Sequence, residues 1–228
     1  EWVYFSNVSS VLDGKSVYIT RTRLGKELAK LETEKITKDH ILIPVPDTAK
    51  AAGDSMAYEL GIPSMEGLIR NRYIGRTFIE GSNRKGMVQN KYTALKEILK
   101  DKKVILVDDS IVRGTTSKQI VRYLKEEGGA KEVHVRVSCP PIRAPCFYGI
   151  DMSTISELLA PRYEDGIGQE EISKKVCAKI AKDLGADSLI YQTIPGLVKA
   201  IGLPKNDLCM ACLNGDYPTP CGKKLYGE

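Results

Sequence analysis

Two adjacent carboxylates, Asp108 and Asp109, followed by Ser110, Arg113, Gly114, Thr115, Thr116 and Ser117, form the stretch of this chain best equipped for chemistry. Paired carboxylates can accept hydrogen bonds from the two hydroxyls of a ribose, or help to hold a hydrated magnesium ion. The small hydroxylated turn after them can offer side-chain donors, free backbone amides and the positive end of a helix dipole to a phosphate. Gly114 lets the backbone come close to such a ligand. A solvated acidic loop leading to an ordinary helix cap is the bland alternative. The Gly-Lys-Ser/Thr element of a nucleoside-triphosphate loop is missing.

Other reactive side chains gather in three places. Arg70, Arg72 and Arg76 form the densest cationic cluster, and guanidinium groups match phosphate oxygens two bonds at a time. A solvated basic face is the alternative there. Cys209 and Cys212 make a Cys-x-x-Cys pair, with Cys146 well upstream, a spacing that reads as metal binding or redox chemistry before a disulfide. Zinc suits four thiolates, and packed free thiols are the third possibility. The two histidines, His134 in an apolar run and His40 in a polar turn, have no visible partner and receive no catalytic role. Cys177 falls in the helical run 170–184 and is expected in the core, while Trp2, Tyr4 and Phe5 are expected to pack at a domain junction.

Elements that could position these groups follow from periodicity. Val104, Ile105, Leu106 and Val107 form an unbroken apolar quartet, the mark of a strand buried on both faces. A helix is predicted from Thr115 to a stop at Gly128 and Gly129, with Ile120, Val121 and Leu124 on one face. Helices are also predicted over 16–31 and 48–60, and strands over 41–45, 133–137 and 188–191, while 68–79 is extended and 80–90 is glycine-rich and polar. Helices alternating with buried strands imply an α/β fold with a parallel sheet and right-handed crossovers.

Composition sets the limits. The 228 residues are enough for one α/β domain with appended elements, and the formal charge of +5 is spread among interspersed acids. That charge fits an anionic small ligand, and no nucleic-acid module accompanies it, so no nucleic acid is expected as a partner. Neither a membrane span nor a signal peptide is visible, so no membrane is expected and a cytoplasmic protein follows.

The run VILVDDSIVRGTTS at 104–117 resembles the phosphoribosyl pyrophosphate signature of type I phosphoribosyltransferases, in the version found in the amidophosphoribosyltransferase family. Further matches lie in order along the chain: EWVYFSNVSSVLDGKSVY at 1–18, ILIPVPDTA at 41–49, IRNRYIGRTFI at 69–79, PCFYGIDMST at 145–154 and CMACLNGDYPTP at 209–220. The resemblance implies a type I phosphoribosyltransferase fold, a parallel sheet flanked by helices, with residues 1–160 as the core and 161–228 as C-terminal helical additions carrying the Cys-x-x-Cys segment.

The resemblance also implies an activity, in which ammonia displaces pyrophosphate from phosphoribosyl pyrophosphate to give 5-phosphoribosylamine, the first step of purine synthesis. Asp108, Asp109 and Arg76 are then the catalytic groups. Ser110, Arg113, Gly114, Thr115, Thr116, Ser117, Asp47, Thr48, Arg72 and Lys91 bind substrate, and Thr48, Asp108 and Asp109 take magnesium. In the family the stretch after GRTFI folds over the substrate; here 78–91 corresponds, including Lys85 and Lys91, although 80–89 matches poorly. Cys146, Cys209 and Cys212 match ligands of an iron-sulfur cluster whose fourth ligand lies upstream of Glu1. The N-terminal glutaminase domain of the family does not match this chain, which should therefore not hydrolyse glutamine. A glutaminase domain or subunit and a homo-oligomer are the partners implied. Two alternatives remain, a non-catalytic regulator that binds phosphoribosyl pyrophosphate and a phosphoribosyltransferase for another nitrogen nucleophile.

Overall fold

A computed structural model describes residues 1–71, 91–150, 154–164 and 171–227. The chain opens with a two-residue hairpin, β1 (Val11–Leu12) against β2 (Lys15–Ser16), turned through Asp13 and Gly14 at positive φ. Ser16 then caps α1 (Val17–Ala29), its hydroxyl accepting from the Ile19 amide. Next come β3 (His40–Pro44), α2 (Lys50–Leu60), β4 (Leu68–Arg70), β5 (Tyr92–Ala94), the short α3 (Lys96–Leu99), β6 (Lys103–Asp108), α4 (Thr115–Glu126) and β7 (Glu132–Val137). After them follow α5 (Lys174–Leu184), β8 (Ser188–Tyr191), α6 (Ile194–Ile201), α7 (Ala211–Asn214) and α8 (Pro220–Tyr226).

Strands β3, β6, β7 and β8 form one parallel sheet in the order β3-β6-β7-β8, and β4 pairs with β5 as a separate antiparallel ribbon. The continuous apolar quartet explains why β6 is interior: Val104, Ile105, Leu106 and Val107 are all buried, so the strand needs cover on both faces. Helices supply it, with α1 packed on α2 and α6, and α4 packed on α5. The predicted alternation of strand and helix thus stands, with most element ends moved by a residue or two and the run expected over 170–184 helical only from Lys174. β8, from the stretch expected to hold the C-terminal additions, completes the main sheet. Cys177 lies in the core as expected. Trp2 and Tyr4 pack partly against that core, whereas Phe5 is 55% exposed.

One predicted boundary moves in a place that bears on the site. The helix expected from residue 48 starts at Lys50, and residues 46–49 form a turn. Asp47 is paired with Arg70 and the Thr48 side chain with Asp109. The histidines are a second departure. His40 is the fully buried first residue of β3, and its ring stacks on His134 of β7 with centroids 6.2 Å apart. The expectation that neither has a partner is therefore overturned, since folding brings together residues 94 positions apart in sequence.

The contact between α1 and α2 is close because Gly25 lacks a side chain; a Cβ there would lie 2.1 Å from the Ala52 carbonyl oxygen. Backbone cannot yield as a flexible side chain can, so Gly25→Ala should push the two helices apart. The expected loss is about 1–3 kcal/mol, read as a lowered Tm of roughly 2–4 °C per kcal/mol for a chain of this size. Thermal unfolding followed by circular dichroism checks it, and an unchanged Tm would contradict the packing argument.

Candidate active site

In open parallel sheets the carboxyl ends of the strands are where ligands bind. Here β3 and β6 end side by side, with Pro44 opposite Val107 and the Val45 amide donating to the Val107 carbonyl at 2.8 Å. Asp108 is the last residue of β6, and the 109–114 loop then leads into α4. This loop, the 46–49 turn, Arg70, Lys91 and Tyr92 enclose a cavity of about 590 Å³. Asp47, Thr48, Lys91, Asp108, Asp109, Ser110, Arg113, Gly114, Thr115, Thr116 and Ser117 all line it, although they come from separate parts of the sequence. Arg72, Arg76, Lys85 and the rest of the 78–90 stretch lie outside the described residues.

The two carboxylates are in electrostatic conflict. Asp108 is buried, which rules out the alternative of a solvated acidic loop at that position. Burial, and then the adjacent Asp109 charge, push its carboxyl up to about 8. It accepts from the Asp109 amide at 2.9 Å and from the Ser117 hydroxyl at 3.5 Å. Burial also raises Asp109, opposed by hydrogen bonds from Thr48 and Ser110 and by the Arg21 charge. The Ser110 hydroxyl donates to Asp109 at 3.1 Å. Such a pair suits a cation or a set of hydroxyl donors, either of which would favour the ionised forms. Thr48, Asp108 and Asp109 present oxygen donors of the kind magnesium accepts.

The start of α4 offers the complementary charge. Gly114 caps it at φ +79°, a left-handed conformation that side chains rarely adopt. A Cβ there would meet the Leu159 side chain at 2.8 Å, and the Leu159 amide in turn donates to the Val112 carbonyl at 2.8 Å. Residues 158–160 therefore brace the loop from behind. No side chain caps α4, so its first amides remain available to an anion. Arg113 points to the rim, where it pairs with Glu157 at 3.3 Å. The Lys91 ammonium stands 5.3 Å from the centre of the Tyr92 ring.

Sequence reasoning missed three contributors. Buried Arg21 on α1 carries positive charge toward Asp109 while donating to the Trp2 and Ser6 carbonyls at 3.2 and 2.8 Å. Tyr92 lines the cavity and donates to the Pro46 carbonyl at 3.4 Å, and Leu159 supports Gly114. None carries a local signal, because each reaches the site from another element.

The cysteines form a separate centre. Cys139, Cys146, Cys209 and Cys212 line one cavity of about 300 Å³ beside Trp2, Tyr4 and Met210. The Arg143 and Ala144 amides both donate to the Cys212 carbonyl, at 2.8 and 3.1 Å, which ties the Cys146 segment to the Cys-x-x-Cys turn. Buried Arg143 locks the junction through two 2.7 Å bonds to Glu164 and a third to the Leu213 carbonyl. Burial, and then Cys146 and Cys209, push the Cys212 thiol up to about 11. Crowded thiolates of this kind are stabilised by a metal. Among the described residues, only Glu34, His40 and His134 form a trio with ligand atoms all within 4.8 Å of one another.

Comparison with known proteins accords with this geometry. The phosphoribosyl transferase domain profile matches residues 8–146. The chain is 47% identical over 231 residues to the amidophosphoribosyltransferase of Methanocaldococcus jannaschii, covering 100% of this chain and 45% of that protein. It is 43% identical over 225 residues to the amidophosphoribosyltransferase of Bacillus subtilis, covering 96% of this chain and 44% of that protein. A solved structure of the glutamine phosphoribosylpyrophosphate amidotransferase from B. subtilis, complexed with ADP and GMP, superposes with a TM-score of 0.82 at 42% identity; the match covers 96% of this chain and 46% of that one. This chain thus spans less than half the length of the curated relatives it matches. With a parallel sheet, an acidic strand end and an open helix start all in the matched region, the chain belongs to the phosphoribosyltransferase family and corresponds to the phosphoribosyltransferase part of the amidophosphoribosyltransferases.

Proposed function

We propose that this chain transfers ammonia to phosphoribosyl pyrophosphate, releasing pyrophosphate and forming 5-phosphoribosylamine, the first step of purine synthesis. The observation that carries this reading is the single cavity in which Asp108 and Asp109 face the uncapped start of α4 and the 46–49 turn. The 5-phosphate would bind the amides and hydroxyls of Gly114, Thr115 and Thr116, fixing the sugar by its far end. Asp109, and Asp108 once ionised, would accept hydrogen bonds from the ribose hydroxyls. They would also stabilise positive charge on the sugar as the bond from C1 to pyrophosphate breaks. Ammonia brings its own electron pair to C1, so no base is needed until the new ammonium group sheds a proton. Asp47, Thr48, Arg72, Arg76 and Lys91 belong to the pyrophosphate side in this reading.

Magnesium bound by Thr48, Asp108 and Asp109 would offset the charge of the pyrophosphate leaving group. An iron-sulfur cluster on Cys146, Cys209 and Cys212 would act as a structural clamp between the Cys146 segment and the Cys-x-x-Cys turn. Ammonia would come from a glutaminase domain or subunit, for which the greater length of the relatives leaves room. A cytoplasmic homo-oligomer completes the proposal. Among the described residues, no helix is long and apolar enough to cross a membrane.

Pyrophosphate release should follow addition of ammonium salt with magnesium and phosphoribosyl pyrophosphate, and glutamine alone should give none. Release that ignores ammonium would refute the proposal. Changing Asp108 and Asp109 together to Asn should lower this rate by at least about a hundredfold, the scale on which lost electrostatic stabilisation acts. Gly114→Val should abolish binding of the sugar phosphate by straining the left-handed turn and displacing Leu159, which calorimetric titration would read.

Stability should move the other way at Asp108. Its folded carboxyl holds a proton that the unfolded chain releases near pH 4, so the contribution of Asp108 to native stability falls as pH rises from about 4 to about 8. Asp108→Asn removes that penalty. With chelator present, the variant should match the parent near pH 4 and exceed it at pH 8 by about 1 kcal/mol or more, roughly 2–4 °C in Tm. Equal Tm values at pH 8 would show that the Asp108 carboxyl is not strained.

A further inference from the structure

A second polar centre lies at the other end of the sheet, where β3 and β7 begin. His40 opens β3, and His134 is the third residue of β7, two strands away. The register places His40 beside Lys103 and Glu132, and His134 beside Ile105 and Ser188, so these side chains share one face of the sheet. Glu34, from the turn after α1, reaches the same face, its Oε2 4.0 Å from His134 Nδ1. The ligand atoms of Glu34, His40 and His134 all lie within 4.8 Å of one another.

The surroundings assign each group a distinct job. Glu132 is 3.1 Å from His134 Nε2 and 2.9 Å from the Lys103 ammonium, so it fixes the ring N–H, and the Ser188 hydroxyl lies 2.9 Å from Nδ1, a bond that an entering ion would displace. A carboxylate holding one ring nitrogen while the other faces a cation is the usual outer support of a metal-bound histidine. Glu32 is consumed by a bidentate pair with buried Arg136, both bonds 2.7 Å. Among the described residues, the ion pair that Glu34 makes is the one with His134, so its charge faces the histidines.

The independent sign of a missing ligand is His40. Its ring is fully buried, and Nε2 has no hydrogen-bond partner. Leaving such a group unsatisfied costs about 1–3 kcal/mol.

We propose that Glu34, His40 and His134 form a divalent transition-metal site, best suited to zinc, which fastens the 30–39 turn to the sheet. Two imidazoles and one carboxylate are a zinc donor set that leaves a fourth position for water on the exposed side of Glu34. Donors must close to about 2.0–2.2 Å from the ion, and Glu34, 30% exposed on a turn, can make that movement. Loading also moves the His40 ring proton from Nε2 to Nδ1, where the Thr37 hydroxyl lies at 3.0 Å to accept it. The Thr37 amide, which donates to Nδ1 at 3.0 Å before loading, then turns to water. The turn is therefore reshaped when the ion enters.

The test uses the full chain carrying Cys209→Ser and Cys212→Ser, freed of metal, and titrated with zinc ion against a chromophoric chelator. One equivalent should bind, with affinity at least tenfold weaker in Glu34→Gln and roughly 10–100-fold weaker in Glu132→Gln, whose loss removes outer support only. Cobalt(II) should give tetrahedral d–d absorption with no thiolate charge transfer, and zinc should raise Tm in the parent but not in Glu34→Gln. His40→Ala risks misfolding in the core, so the deciding variant is Glu34→Gln, which changes a partly exposed turn residue. Equal zinc affinity in parent and Glu34→Gln, or no stoichiometric binding to the folded parent, would overturn the proposal. Thiolate charge transfer in the unmodified chain, together with no d–d signal in the Cys-to-Ser background, would do the same by assigning all bound metal to the cysteines.

Discussion

Placing two neighbouring carboxylates at the end of a strand that is buried on both faces sets the terms for the rest of this structure. Asp108 is held out of water beside the charge of Asp109, and burial with like-charge repulsion drives its carboxyl toward the protonated form. Only a rigid support can keep such a pair in place. The parallel sheet supplies it, because β6 is hydrogen-bonded along both edges and packed above and below. The unfavourable arrangement persists because the surrounding core determines it, and such stored strain is characteristic of binding sites.

Relief comes from elements that are distant in sequence. Thr48 reaches Asp109 from the end of β3, Ser117 reaches Asp108 from α4, and Arg21 contributes its charge from α1. Arg21 also grips the carbonyls of Trp2 and Ser6, so the first turn of the chain is joined to the floor of the site. A change in the N-terminal segment therefore has a short physical route to the acidic pair. Bracing by Leu159 does the same from the other side, joining the glycine turn to the segment beyond the Cys146 loop.

The two buried bidentate pairs mark the seams of the molecule. Arg136 with Glu32 closes the turn after α1 onto β7, next to the histidines. Arg143 with Glu164 closes the cysteine segment onto the core. Desolvating an ion pair offsets most of its attraction, so these pairs add specificity more than net stability. Each fixes one arrangement of an irregular segment that apolar packing alone would leave loosely determined. Both polar centres outside the acidic cavity adjoin such a seam.

Much of this was legible in the residues themselves. The unbroken apolar run at 104–107 announced an interior strand, the glycine and hydroxyl residues after the acids announced an open helix start, and the alternation of periods announced a parallel sheet. These features are local, since each depends on side-chain size, β-branching or backbone freedom within a few positions. The sequence also showed which residue types could hold phosphate and which could hold metal. It could not show the burial of Asp108, the placement of Thr48 in a turn outside α2, or the roles of Arg21, Tyr92 and Leu159. Nor could it show that His40 and His134 meet, because 94 residues and an intervening strand separate them. Those outcomes depend on strand order and register, which bring distant side chains within bonding distance and exclude water between them, and only the tertiary structure decides that.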